Sequence, residues 1–268
     1  MKLLNWLEYF DAIYCINLKD RKDRRKKAKK EIKKIWLSWK VIFFDAIKNE
    51  KNWHIWCLES HKEIVRIAKR NKYKNILVFE DDIKIIDENI IYLQEAINEL
   101  KNKKWSIFYL WCTFLWKDLP CLEKNGNLYR VYWWRSTHAI AYNKSFFEVF
   151  LKIQSINTIK KYGAIDVFLS LFGQQVYEAY MPINVIAKQD IYFSSIENKK
   201  MNLDPFIMEN FIQLKLKSLI RNRIIKIIRK AFLKTWVISN RNTNMFNWLY
   251  KIYHDFPKKI HQAIFSKK

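Results

Sequence analysis

Residues 75–83 read Asn75-Ile76-Leu77-Val78-Phe79-Glu80-Asp81-Asp82-Ile83, a short apolar run that stops in three consecutive acids. Ile76 to Phe79 is β-branched and aromatic enough for a buried strand, with the acids at its C-terminal end. In open α/β sheets, ligands bind just outside the C-terminal ends of strands. Three carboxylates there repel one another unless a cation lies among them. Hard oxygen ligands suit Mg²⁺ or Mn²⁺, which often bridge to phosphate oxygens. The other reading is a solvated strand-to-helix turn with Asp82 close to an N-cap.

The segments on either side set the fold class. Ala12–Leu18 reads as a first buried strand, and Asp20–Lys34 as a helix with ten Lys/Arg against three acids. Val41–Phe44 is a second strand ending at Asp45, and Cys57–Arg70 an amphipathic helix with Ser60 and His61 in its first turn. After the acids come a helix over 87–100, a strand at Ser106–Leu110, and strands Leu128–Tyr132 and His138–Tyr142 that look paired with each other. Helices over Asn143–Ile153 and Ile165–Leu171 follow, and then a strand within Val176–Val185. This alternation predicts an α/β fold, a mixed and mostly parallel sheet with helices on both faces. It fills residues 1–203. Residues 204–268 read as a second, basic helical region.

The net charge of +24 over 268 residues implies an anionic partner. Residues 205–268 hold 14 Lys/Arg against 2 acids, half of that excess. Within Phe211–Lys234, apolar residues recur at helical spacing between Lys and Arg, the pattern of a helix lying on an anionic membrane surface. A helix packed on the catalytic domain with a solvated basic face has the same pattern. No apolar run reaches bilayer-spanning length, and acids interrupt the N-terminal stretch where a signal core would stand. The scattered cysteines Cys15, Cys57, Cys112 and Cys121 suit reduced thiols. The expected location is cytoplasmic, peripheral on the inner face of the membrane.

The chain has 3 glycines and 12 tryptophans. Average usage would give roughly 19 glycines. Trp36, Trp39, Trp53, Trp56, Trp111, Trp116, Trp133 and Trp134 stand at positions where turns or close approaches suit glycine. The imbalance suggests a gene that reads UGA as glycine, translated with a code that reads it as tryptophan. UGG codons at these positions would overturn that idea.

Four ordered segments carry a family likeness: Tyr14–Arg25, Trp53–His61, Leu77–Ile83 and Thr137–Tyr142. Ala164-Ile165-Asp166 and the later Gln189–Asn198 extend it. Together they resemble glycosyltransferase family 25, the lipooligosaccharide and procollagen galactosyltransferase group. This chain has Trp53 and Trp56 where the family's Gly-x-x-Gly-Cys-x-x-Ser-His motif has glycines, and Ala164 where it has proline. The resemblance implies a GT-A-like fold and an inverting transfer of a sugar, typically galactose, from a UDP-sugar. It further implies Mn²⁺ (or Mg²⁺), and a glycan or glycolipid acceptor such as lipooligosaccharide.

On this reading Asp82 and Glu80 are the metal ligands. Asp81 and Glu80 contact ribose or metal-bound water, while Asn17, Leu18, Arg21 and Arg25 line the nucleotide pocket. Asp45 reaches uracil or ribose, Ser60 and His138 belong to the donor site, and Asp166 is the base that deprotonates the acceptor. Asp190, Ser194 and Glu197 are candidates for acceptor contact. The competing readings are a nucleic-acid-binding protein, which +24 and 16% aromatics would suit, and an inactive membrane-bound scaffold. No recognised nucleic-acid module is present, so no specific nucleic acid is expected.

Overall fold

The structure, a computed structural model, describes residues 6–35, 39–48, 52–112, 121–132, 134–190, 192–194 and 199–201. The expected basic region over 204–268 lies outside the described residues.

The main strands are β1 (Ala12–Asn17), β2 (Val41–Asp45), β3 (Asn75–Glu80), β4 (Ile83–Ile85), β5 (Ile107–Tyr109), β6 (Cys121–Asn125), β7 (Leu128–Tyr132), β8 (Ala139–Asn143), β9 (Ala179–Pro182) and β10 (Ala187–Gln189). The helices are α1 (Trp6–Tyr9), α2 (Lys22–Lys34), α3 (Trp53–Arg70), α4 (Ile90–Leu100), α5 (Lys144–Leu151), α6 (Ser155–Tyr162) and α7 (Ile165–Phe168), the last continued by a π-turn over Leu169–Gly173. Eight strands form one sheet in the order β2-β1-β3-β8-β5-β9-β7-β6. β1, β2, β3, β5, β6 and β9 run one way, with β7 and β8 opposed. The sheet is therefore mixed and mostly parallel, as expected.

The inner strands β1, β3 and β8 are buried on both faces, so apart from their end residues their sequences are continuously apolar instead of alternating. Leu77 and Phe79 of β3 pack with Ala28 and Ile32 of α2 and with Leu93 and Ile97 of α4. Ile76 and Val78 face the other way, toward Leu58, Ile64 and Val65 of α3 and Phe146 and Phe150 of α5. Helices thus cover both faces. α2 has few buried residues but carries Asp23 in its first turn and Lys33 and Lys34 in its last, which complements the helix dipole. Asn52 caps α3 by accepting a hydrogen bond from the His54 amide at 2.8 Å.

Two expectations fail. β7 and β8 are not partners: β8 lies between β3 and β5, its apolar run filling the middle of the sheet. β7 pairs instead with β6 across the turn Asn125-Gly126-Asn127. Gly126 sits at φ +64, and the Glu99 carboxylate closes over it, accepting from the Asn127 amide at 2.6 Å. A Cβ at Gly126 would both strain the backbone and push that carboxylate away. Gly126→Ala is expected to cost about 1–2 kcal/mol, read as a lower urea midpoint at unchanged slope. The second failure concerns α3, which begins at Trp53 and not at Cys57, so Ser60 and His61 lie mid-helix.

Candidate functional site

The end of β3 sends its acids to different places because strand side chains alternate between faces. Glu80 follows Val78 to the α3 face. There its Oε1 accepts from Thr137 Oγ1 at 2.6 Å and lies 3.5 Å from His61 Nε2 and 3.7 Å from Cys57 Sγ. Burial pushes the Glu80 carboxyl up, but His61, Thr137 and His138 together hold it below the usual range. Asp81 follows Phe79 to the α2 face. Its Oδ2 accepts from Asn17 Nδ2 at 2.7 Å, and its Oδ1 is 3.1 Å from Arg24 Nη1. The strand ends at Glu80, and the turn at Asp81-Asp82 carries Asp82 with Asp81 into the cavity on the α2 side, so the expected metal pair of Glu80 with Asp82 is divided where the extended chain stops.

Asp81 and Asp82, each 8% exposed, form one end of a cavity of about 450 Å³. Asp190 joins them there, while Arg21, Arg24, Lys27 and Lys30 supply the basic wall. Asp190 arrives because β10 pairs antiparallel with β4, Gln189 opposite Ile83. That ribbon lets the Asp190 amide donate to the Asp82 carbonyl at 2.7 Å and Gln189 Nε2 donate to Asp82 Oδ2 at 2.9 Å. Burial raises the Asp81 carboxyl, Asn17 and Arg24 draw it down, and the charge of Asp82 pushes it up again. Asp23 and Glu31 of α2 also line the cavity, Asp23 held by Arg21 and Glu31 by Lys34 and the Ile85 amide. Asp81, Asp82 and Asp190 at the strand ends offer only oxygen donors, which fits Mg²⁺ or Mn²⁺. The sequence reading puts Asp190 with the acceptor and does not single out Arg24, Lys27 or Lys30. The i, i+3 and i+6 spacing of those three on one helix face is the available signal.

The remaining candidates are dispersed. Arg21 lines the cavity from the N-cap position of α2, where it makes no side-chain capping bond, and holds Asp23 bidentately, at 2.9 and 2.7 Å, which keeps the Asp23 carboxyl well below the usual range. The Leu18 carbonyl accepts from the Arg21 amide at 2.9 Å and so shapes the start of α2. Arg25 turns toward the sheet edge, 3.4 Å from Asp45 and 4.7 Å above the Phe43 ring. Neither Arg25 nor Asp45 lines the cavity. Asn17, 1% exposed, holds Asp81 rather than facing a ligand. Ser60 is fully buried and accepts from the Ile47 amide at 2.9 Å, tying α3 to the loop after β2.

His138, 1% exposed, lies behind the acids beside Ser136; burial lowers its pKa against the pull of Asp82 and Glu80. It is a packed imidazole outside the cavity lining. Asp166 stands in the first turn of α7. Burial raises its carboxyl, while Arg135, the amides of Val167 and Ser136, and His54 draw it back. Cys57 feels the charges of both Glu80 and Asp166, which puts Asp166 on the α3 side of the strand ends. Ser194 lies in the short strand Tyr192–Ser194, and Glu197 lies outside the described residues.

Among the described residues, the backbone does not ask for glycine at any suspect tryptophan. The positive-φ non-glycine residues are Lys72 and Ser136, at φ 59 and 99. Trp53 and Trp56 form the first turn of α3 with ring centroids 4.1 Å apart, not a preceding loop. Trp39 is 76% exposed, whereas Trp111 and Trp134 are buried. Trp36, Trp116 and Trp133 lie outside the described residues.

No protein-family model matches the sequence, and no curated protein matches it. Among solved structures, the chain is similar to a glycosyltransferase involved in the glycosylation of the major capsid of PBCV-1. That match has 11% identity and a TM-score of 0.37, over 57% of this chain and 75% of that one. It is also similar to mannose-1-phosphate geranyltransferase from Thermus thermophilus, with 9% identity and a TM-score of 0.40 over 66% and 75% of the two chains. A third is A197 from STIV, with 11% identity and a TM-score of 0.36 over 71% and 94%.

Proposed function

We propose that this chain is a glycosyltransferase that moves a sugar, galactose first among the candidates, from a UDP-sugar to a glycan or glycolipid such as lipooligosaccharide, with inversion. The observation that supports it most is the cavity in which Asp81, Asp82 and Asp190 face the basic wall of α2. A nucleoside diphosphate with a divalent ion has the complementary charge on both sides. The ordered resemblance to glycosyltransferase family 25 points the same way. When bound, Mn²⁺ or Mg²⁺ would neutralise the charge that develops on the departing diphosphate. Asp82, with Asp81 and Asp190, would hold it. Arg24, Lys27 and Lys30 would take the remaining phosphate oxygens. Asn17 fixes the Asp81 carboxylate from behind, so the acid is set before the donor arrives.

The deciding experiment is a panel of UDP-sugars, with and without Mn²⁺, on the chain as written and on a form with glycine at Trp53 and Trp56. Metal-dependent release of UDP from one donor is expected. Release from none, in either form, would remove the proposal. Arg24→Gln takes one charge from the wall and leaves Asp81 held by Asn17 alone. It is expected to raise the donor KM about tenfold. Arg24→Lys restores the charge without the fork and is expected to recover only part of that.

The basic segment 204–268 is proposed to hold the enzyme on an anionic membrane surface. Among the described residues no helix is long and apolar enough to cross a membrane. Co-sedimentation with vesicles containing phosphatidylglycerol, but not with purely zwitterionic ones, is the expected result. Recovery in the supernatant with both would overturn it.

A further inference from the structure

Cys57, His61 and Glu80 meet on the α3 side of the sheet, on the opposite face from the acid cavity. Cys57 and His61 are four residues apart on α3 and therefore share a helix face. Glu80, the last residue of β3, reaches across to them. One ligand atom from each residue lies within 4.8 Å of the other two.

The edges of this triangle are the informative quantity. A tetrahedral Zn²⁺ with ordinary bond lengths would separate an imidazole nitrogen from a carboxylate oxygen by about 3.4 Å, and a thiolate sulfur from that oxygen by about 3.6 Å. The observed separations are 3.5 Å for His61 Nε2 to Glu80 Oε1 and 3.7 Å for Cys57 Sγ to the same oxygen. A second observation concerns burial. His61 is 0% exposed, and apart from the Glu80 oxygen at 3.5 Å, which it meets without hydrogen-bond geometry, its Nε2 has no hydrogen-bond partner. A buried ring nitrogen left without a hydrogen bond is costly and calls for an explanation.

The outer contacts suit ligation too. His61 Nδ1 lies 3.1 Å from the Tyr142 hydroxyl, which can take the Nδ1 proton and leave the Nε2 lone pair for a metal. Thr137 Oγ1 is 2.6 Å from Glu80 Oε1, too short for two ligands of one ion. Its hydroxyl therefore orients the carboxylate by donating to it.

We infer that Cys57, His61 and Glu80 form a binding site for a borderline divalent cation, Zn²⁺ before others, that fastens α3 to the end of β3. The donor set of sulfur, nitrogen and oxygen separates it from the all-oxygen cavity on the other face. On binding, the Cys57 S–H bond breaks, the sulfur keeps the electron pair as a thiolate ligand, and its proton leaves to solvent. His61 is neutral and Glu80 ionised in the complex, so one proton is released per ion. The three protein ligands leave a fourth position for water.

The test uses the full chain, stripped with a chelator and titrated with Co²⁺ alone as the zinc surrogate. A thiolate-to-cobalt charge-transfer band saturating at one equivalent is expected, with visible bands of four-coordinate intensity and about one proton released. Cys57→Ser is expected to abolish the charge-transfer band, and His61→Gln to weaken Co²⁺ binding at least tenfold. Asp82→Asn, on the acid cavity, should leave the band unchanged. Circular dichroism establishes that each variant is folded. A folded wild-type chain with no thiolate band would overturn the inference, as would a band that survives Cys57→Ser.

Discussion

Asp82→Asn is expected to lower kcat/KM for the UDP-sugar by about 10²–10³-fold, the loss that follows removal of a group stabilising charge in the transition state. The substitution is chosen because it keeps the size of the side chain and two of the residue's bonds. Asp82 is 8% exposed, its Oδ2 accepts from Gln189, and its backbone carbonyl accepts from the Asp190 amide. The asparagine carbonyl can still accept from Gln189, and the backbone bond is untouched. What disappears is one negative charge in a cavity that also holds Asp81 and Asp190. If those acids hold a divalent ion, the Mn²⁺ concentration for half-maximal rate should rise together with the loss of rate.

Stability should move the other way, or not at all. The charge of Asp82 is one reason the Asp81 carboxyl is raised, so its removal relieves a like-charge repulsion. A melting temperature at or above wild type, with the rate reduced, is the expected pair of results. Unchanged turnover at all Mn²⁺ concentrations would mean that the acid cavity does not handle the diphosphate.

Most of the sheet can be read from the sequence because its strands are continuous apolar runs separated by helical periodicity. Ala12–Asn17, Val41–Asp45 and Asn75–Glu80 each lie within a residue of the expected span. The pairing of the later strands cannot be read that way. An apolar run shows that a strand is buried but not which neighbour buries it, and so β8 reads as a partner of β7 although it pairs with β3 and β5. The Gly-Asn pair at 126–127, a two-residue loop between the paired Asn125 and Leu128, is the local signal for the β6–β7 hairpin.

The site is partly legible for the same reason. Consecutive acids in sequence suggest one cluster, yet alternation along an extended chain gives Glu80 and Asp81 opposite faces. Asp190 is the converse case. More than a hundred residues separate it from Asp82, and only the β4–β10 ribbon brings it into the cavity. Arg24 outranks Arg25 because helical phase turns it toward Asp81, whereas Arg25 is turned toward Phe43 at the sheet edge. Composition raises the tryptophan question but cannot place backbone strain. The positive φ in the loop before β8 belongs to Ser136, two residues after Trp134.

Asp166→Asn is expected to cut sugar transfer by about 10²–10⁴-fold, the contribution of a positioned general base, while equilibrium binding of the donor stays within a factor of two or so. A base that takes a proton from an acceptor hydroxyl is stronger when its own pKa is raised. Asp166 has that property, because burial lifts its carboxyl and the Arg135 charge only partly restores it. The active form is ionised, so kcat/KM should fall on the acid side at a pH above the usual carboxylate value of about 3.9.

The linkage has a definite sign. A carboxyl whose folded pKa is raised stabilises the fold most below its unfolded pKa, and that contribution is lost as pH rises through the folded value. At neutral pH the ionised Asp166 is a cost. Asp166→Asn should therefore melt at or above wild type at pH 7, with any advantage shrinking as the pH is lowered. The alternative role is structural, with Asp166 anchoring the start of α7 through the Val167 amide at 2.8 Å. On that account the variant loses stability at pH 7 and keeps its turnover once folded. Reduced transfer with undiminished stability would separate the two accounts in favour of the base.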